Sequence, residues 1–334
     1  MSEKQGRNPG NPSAATPGGI AVVIPCYKVS RHILDVIRGI GPECGRIYVI
    51  DDACPEHSGR LVEDQADDPR VSVYYNERNL GVGGAVIRGY RQAIEDGASV
   101  IVKLDGDGQM DPRRLSTLVR PILAGRADYS KGNRFYDLDR VRAMPGVRIA
   151  GNLVLSFMAK LSTGYWSVFD PTNGYTAIHA SVAARLPLDK VSTRFFFETD
   201  LLFRLGLIRA VVVDIPMDAE YHNELSNLRI RTVVGEFALK HLRNAWKRIV
   251  YSYFLRDFSL ASLELVVGIA LSLFGLAFGF RHWMQSYKEG VVATAGTVML
   301  AAVPFLLGMQ YILAFLAFDT ASSPRDPLHP RLDG

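Results

Sequence analysis

Val100-Ile101-Val102-Lys103-Leu104-Asp105-Gly106-Asp107-Gly108-Gln109 decides how this chain is read. A short apolar run of strand length ends in two carboxylates separated by one glycine. Such runs, bounded by turn residues, suit a strand buried on both faces. Toward the N-terminus the pattern recurs. Ala21-Val22-Val23-Ile24 is stopped by Pro25, Arg46 to Ile50 ends at Asp51-Asp52, and Val71 to Tyr75 forms another run. Helix-like stretches lie between them, at Ser30 to Gly39, Gly59 to Ala66 and Gly84 to Ala93. Strands alternating with helices predict an α/β domain whose parallel sheet is covered on both faces. Ligands of such sheets bind at the carboxyl ends of the strands, where the acidic pairs fall.

The chain has 334 residues, enough for one large catalytic domain and an attachment. Its net charge of +4 is mild, and no dense basic patch marks a nucleic-acid binder. Three cysteines, Cys26, Cys44 and Cys54, have no metal-ligand spacing and read as reduced thiols. Residues 1–19, rich in Gly, Pro, Asn and Ser, read as a disordered leader without the apolar core of a signal peptide. A catalytic domain is expected over residues 20–228.

Residues 229–257 read differently. Apolar positions from Ile230 to Phe254 recur at helical spacing, and Arg229, Arg231, Lys240, Arg243, Lys247, Arg248 and Arg256 stand between them. A basic amphipathic helix with Trp and Tyr suits an anionic membrane surface. Two long apolar segments follow, at about 258–280 and 290–318, with Arg281 to Glu289 expected as a tight loop. At ~1.5 Å per residue, about 20 residues cross a bilayer core, so both segments are long enough to span. Basic residues before the first segment place the catalytic domain, and a tail at 319–334, on the cytoplasmic face. Val141 to Lys160 is read as a second interfacial element or an ordinary insertion helix.

Asp105 and Asp107 at a strand end suit a hard divalent cation, Mg²⁺ or Mn²⁺, bridging substrate phosphates. Asp52 either accepts bonds from a base or ribose, or caps a turn. Gly81-Val82-Gly83-Gly84 opens a helix; it allows close backbone approach to a nucleotide or tight packing, and it is neither GxGxxG nor a Walker loop. Arg134 in Lys131-Gly132-Asn133-Arg134 can clamp a phosphate bidentately. Glu198 and Asp200 open an apolar helix, as helix-start charges or as a general base or acceptor-orienting groups.

Taken in order, Val23-Ile24-Pro25-Cys26-Tyr27, Ile50-Asp51-Asp52, Asn79-Leu80-Gly81, Asp105-Gly106-Asp107-Gly108-Gln109, Gly132-Asn133-Arg134 and Asp170-Pro171-Thr172-Asn173-Gly174-Tyr175 resemble family 2 glycosyltransferases. These have the Rossmann-like GT-A fold, and the likeness is to the polyprenyl-phosphate sugar synthases related to dolichyl-phosphate mannose synthase. The resemblance implies that Pro25, Tyr27 and Asp52 line the base and ribose pocket, together with Gly81. It implies that Asp105 and Asp107 hold the metal and diphosphate beside Gln109. It also implies that Arg134 faces the phosphates of donor or acceptor, and that Glu198 and Asp200 border the sugar or acceptor. Lys131, Arg229 and Arg231 join Arg134 as expected contacts of the acceptor phosphate. Relatives read Tyr-Asn-Glu where this chain has Tyr27-Lys28-Val29, and Gln-x-x-Arg-Trp of processive synthases does not occur. The expected reaction is inverting, metal-dependent transfer from a UDP- or GDP-sugar to undecaprenyl or dolichyl phosphate. Transfer to a hydroxyl of a lipid-linked glycan, with Asp200 as base, and a non-catalytic membrane scaffold are the rival readings. A homo-oligomer stays open.

Overall fold

A computed structural model describes residues 19–136, 146–217 and 230–332. The sheet-forming runs fall close to where the apolar pattern puts them: β1 is Ile20–Cys26, β2 Cys44–Asp51, β3 Val71–Tyr75 and β4 Val100–Lys103. Helices α1 (Ile33–Gly39), α2 (Ser58–Gln65) and α3 (Val82–Glu95) connect them. After α4 (Leu115–Leu123) come β5 (Tyr129–Asn133), α5 (Gly146–Thr163), β6 (Thr176–His179), α6 (Ala180–Arg185), α7 (Phe197–Leu207) and β7 (Val212–Pro216). The strand order is β3-β2-β1-β4-β6-β5-β7.

The sheet is mixed rather than parallel throughout. β6 runs antiparallel to both its neighbours, β4 and β5, whereas β5 and β7 are parallel. Alternate side chains of the central strands enter two separate cores. Val23, Tyr48 and Ile101 pack under α3, α6 and α7, while Val22, Val49 and Val102 pack under α1 and α4. Burial on both faces explains the unbroken apolar runs. The chain leaves β1 toward β2 on one side and β4 lies on the other, so a topological switch point opens between β1 and β4.

The C-terminal part shows three features, of which the second corrects an expectation. First, α8 (Ile230–Val250) is helical, but the face it buries is polar. His241, Asn244 and Arg248 point into the catalytic domain, while Leu239, Leu242 and Trp246 are exposed beside Arg243 and Lys247. His241 Nδ1 lies 2.8 Å from Ser162 Oγ, and Asn244 Nδ2 donates to Asp200 Oδ1 at 3.0 Å. Second, Arg281 to Glu289 is no loop: α9 runs Leu260–Glu289 and α10 Ala295–Ala321, with the turn at 290–294. Both helices are long and apolar enough to cross a membrane. They touch along small residues, Gly268, Ser272 and Gly275 against Ala301 and Gly308, and expose Leu273, Phe280, Leu306 and Leu313. Third, the segment after α10 returns to the catalytic domain. Buried Asp128 accepts from the backbone N–H of Leu328 and His329 and pairs with His329 Nδ1 at 2.9 Å.

Burial lowers the pKa of His241 to about 4. The unfolded imidazole titrates near ~6.5, so the folded state binds this proton less tightly and loses stability as pH falls. Unfolding free energy should therefore decline from pH ~6.5 toward pH ~4, by up to about 3 kcal/mol at the acid limit, and the melting temperature with it. In His241→Gln that part of the pH dependence should vanish, which thermal melts across the range would show.

Candidate active site

A cavity of about 520 Å³ opens at the switch point. Pro25 and Tyr27 follow from β1, Asp52 from β2, Gly81 from the start of α3, and Asp105 and Asp107 from β4. Six sequence-selected residues thus line one space. Arg194 and Phe195 line it from the segment before α7. Gln109 lies outside the lining; its backbone N–H donates to Asp107 Oδ1 at 3.0 Å and shapes the loop.

Asp52 is buried, and its carboxylate is already occupied. Oδ1 accepts from Asn76 Nδ2 and Leu80 N, each at 2.8 Å, and Oδ2 from Gly81 N at 2.8 Å. Its first role is to hold the 76–81 loop at the cavity rim. Asp51 caps α2 through Cys54 N and Gly59 N, each at 2.8 Å. The glycines after Leu80 answer a packing demand. A Cβ on Gly81 would stand 2.6 Å from Thr193 O, and one on Gly83 2.6 Å from Ser192 O. Backbone thus meets backbone where α3 begins, which brings Arg194 to the cavity.

Lys103 is the central residue that the motif contained without showing its role. It closes β4 fully buried, and its Nζ lies 2.7 Å from Asp105 Oδ1, 3.1 Å from Glu198 Oε1 and 3.2 Å from Gly174 O. All three ammonium protons have partners. Burial pulls the Lys103 pKa down, but Asp105 and Glu198 outweigh it and hold the ammonium above its ordinary value. Burial raises the Glu198 carboxyl, against the opposing pull of Lys103. A lysine in a strand buried on both faces must find a counter-charge, and that was the available sequence signal. Arg194 offered no comparable signal, because only the Gly81–Gly83 packing brings it near.

Gly174 leaves room for this cluster. A Cβ there would stand 2.4 Å from Lys103 Nζ and 2.5 Å from Asp105 Oδ2. Gly174→Ala should displace Asp105 and cost about 100-fold in turnover with the fold retained. Steady-state rates beside a thermal melt would check this.

Other expected site residues are placed elsewhere. Lys131 does not line the cavity: it is buried, with Nζ 2.6 Å from Phe169 O and 3.3 Å from Asp214 Oδ1. Asp214 also accepts from Asn133 Nδ2 and Phe169 N, so this network joins β5 to β7. Arg134 gives its fork to Asp170, Nε to Oδ2 at 2.7 Å and an Nη to Oδ1 at 2.8 Å, and it does not line the cavity. Burial opposes ionisation of Asp170, yet Arg134 holds its carboxyl below the usual range. Asp200 and Glu198 part company on α7. Asp200 is buried, accepting from Ser192 N at 2.9 Å and Asn244 Nδ2 at 3.0 Å, with Arg204 at 3.3 Å. It is not placed as a base at the cavity. Arg229 lies outside the described residues, as do Arg142 and the side chains of Arg148 and Arg231.

Asp105 and Asp107 fit a divalent cation of one particular kind. Among the described residues no cluster of three or more His, Cys, Asp or Glu side chains is placed to hold a metal. Two carboxylates beside an open cavity suit an ion that completes its shell with substrate phosphate and water, as Mg²⁺ does.

The mixed sheet, with its cavity at the switch point, is of GT-A type. The profile described as "Glycosyl transferase family 2" matches residues 21–186, so that part of the chain is a glycosyltransferase domain of that family. It is 28% identical over 201 residues to a polyprenol monophosphomannose synthase of Mycolicibacterium smegmatis, covering 59% of this chain and 75% of the relative. It is also 28% identical over 203 residues to an undecaprenyl-phosphate mannosyltransferase of Micrococcus luteus, covering 59% and 82%. In fold it matches glucosyl-3-phosphoglycerate synthase from Mycobacterium tuberculosis, in complex with Mn²⁺, UDP and glucosyl-3-phosphoglycerate. There the TM-score is 0.51 at 18% identity, over 74% of this chain and 86% of that one.

Proposed function

We propose that this protein transfers a hexose from a nucleotide sugar to a polyprenyl phosphate at a membrane surface, with inversion at the anomeric carbon. The observation that carries the reading is the cavity at the switch point, lined by Asp105, Asp107 and Arg194, in a chain that also has two helices able to cross a membrane. By their names, one relative above makes polyprenol monophosphomannose and the other is an undecaprenyl-phosphate mannosyltransferase.

The chemistry asks little of a base. A lipid phosphate monoester, with its second pKa near ~6, is largely a dianion at neutral pH. Its oxygen attacks the anomeric carbon, the bond from that carbon to the nucleoside diphosphate breaks, and the diphosphate leaves with the electron pair. Asp105 and Asp107 would hold Mg²⁺ or Mn²⁺, which when bound neutralises charge on the diphosphate. Lys103 and Glu198 fix Asp105, Tyr27 and Pro25 border the nucleoside end, and Arg194 adds positive charge across the cavity. The placement of Asp200, outside the cavity lining and bonded to Ser192 N and Asn244 Nδ2, favours the phosphate acceptor over a sugar hydroxyl. The exposed Leu239, Leu242 and Trp246 beside Arg243 and Lys247 suit a headgroup layer. With the basic segment on the cytoplasmic side, the catalytic domain faces the cytoplasm.

The test uses the purified full chain, a panel of labelled UDP- and GDP-sugars, undecaprenyl phosphate, and Mg²⁺ or Mn²⁺. Label should enter the organic phase with one donor, and chelation should stop it. Donor binding without lipid product from any sugar would refute the reading.

A further inference from the structure

A second polar cavity, of about 320 Å³, lies where the two apolar helices meet the catalytic domain. It shares no lining residue with the cavity at Asp105. Its walls come from the end of α7 and the following turn, from residues 251–257 ahead of α9, and from residues 318–324 at the end of α10. The near ends of both apolar helices therefore converge on it, at the depth where a lipid headgroup would lie.

Three arginines line this cavity, and they are not equivalent. Arg248 is buried and neutralised: its guanidinium donates to Asp319 Oδ1 at 2.6 Å and Oδ2 at 3.0 Å, and to Leu161 O. Tyr253 Oη and Trp166 Nε1 complete the shell of Asp319, at 2.5 and 2.8 Å. This cluster is a rigid floor. Arg209 and Arg256 differ. Arg209 donates to Ser322 O at 3.2 Å and Arg256 to Leu207 O at 2.7 Å, so carbonyls fix both guanidinium groups without cancelling their charge. Burial, then the like charge of Arg209, lowers the pKa of Arg256, with Asp257 and Tyr251 opposing. Asp257 lines the same cavity, so with Arg248 and Asp319 cancelling each other the lining keeps a net charge of +1, and the two guanidinium groups fixed by carbonyls leave donors for an anion. Ser252 adds a hydroxyl to the wall, and Phe318, Leu255 and Phe258 supply apolar surface in and around it.

We propose that Arg209 and Arg256 form a binding site for the phosphate of an anionic membrane phospholipid, separate from the donor and acceptor site. Basic pockets at the ends of membrane helices take such headgroups. A phosphate there bridges the catalytic domain, through Arg209, to the segment entering the membrane, through Arg256, so lipid charge would stiffen the joint. The inference rests on these helices lying in a membrane, not on the identity of the sugar or the acceptor.

Equilibrium binding of fluorescent phosphatidylglycerol to the full chain in phosphatidylcholine nanodiscs tests it, with metal-dependent nucleotide binding as the readout of an intact fold. The wild type should prefer phosphatidylglycerol to phosphatidylcholine. Arg209→Gln with Arg256→Gln should lose about 20-fold in affinity, Arg209→Gln alone about fivefold, and Arg243→Gln, an exposed residue outside the cavity, almost nothing. An equal loss in Arg243→Gln, or a preference that survives the double substitution, would overturn the site. Glycerol phosphate displacing the lipid at equal concentration would overturn the lipid as its source. Transfer activity is not read, so an inactive transferase leaves the result unaffected.

Discussion

Lys103→Met should lower sugar transfer by about 100- to 1,000-fold and destabilise the fold by about 3 kcal/mol, because it leaves buried Glu198 and partly exposed Asp105 without their cation. Lys103 Nζ sits between Asp105 Oδ1 and Glu198 Oε1, and the lysine side chain is 1% exposed. Removing it does two separable things. It strands a charge on Glu198, which costs stability, and it frees Asp105, which costs turnover. Lys103→Met combined with Glu198→Gln separates them: the melting temperature should recover toward the wild type while transfer stays low. Thermal melts and initial rates on the same preparations would decide. If the double variant regained both, the cluster would matter only for folding.

Asp107→Ala should have the largest effect on chemistry with the least on the fold. Its carboxylate lines the cavity and accepts from Gln109 N at 3.0 Å. Loss of a group stabilising developing charge costs about 10²- to 10³-fold, while a partly exposed loop side chain contributes within about 0.5 kcal/mol to stability. Initial rates at saturating donor, with and without added Mn²⁺, check the first part and denaturant melts the second. Full activity in Asp107→Ala would remove Asp107 from the site.

Much of the catalytic domain was legible because its central strands are buried on both faces. Val22, Val49 and Val102 and their alternates lie in apolar surroundings on both faces, so the apolar runs announce β1, β2 and β4 to within two residues at each end. The reversal of β6 was not legible. Its direction is set by α5 and the Asp170–Tyr175 turn, which separate it from β5, so no short hairpin connection signals antiparallel pairing. Likewise the acidic pairs read as strand-end groups, and they are. Which carboxylates face the cavity depended on neighbours that periodicity does not name. Asp52 is tied to Gly81 N, Asp200 to Asn244, and Lys131 to Asp214.

α8 shows the same limit in another form. Its apolar residues were read as suiting a membrane surface, and nothing in their spacing showed that a polar side would pack on the catalytic domain. The packed side is His241, Asn244 and Arg248, each with a partner, and the exposed side is Leu239, Leu242 and Trp246. A bilayer surface reverses the usual rule, and a single helix does not say which solvent it meets. The return of residues 319–332 changes how truncations must be read. Removing residues 258–334 would take Asp319 from Arg248 and His329 from Asp128, so it would damage the catalytic domain as well as its attachment.

The central claim is that a lipid phosphate oxygen is the acceptor, and matched acceptors test it most directly. The purified chain, a productive labelled donor and the same metal would be given undecaprenyl phosphate in one arm and undecaprenol in the other. The account predicts organic-phase label with the phosphate, lost in Asp107→Ala, and none with the alcohol. Comparable labelling of the alcohol would contradict it and restore a hydroxyl acceptor that needs a base.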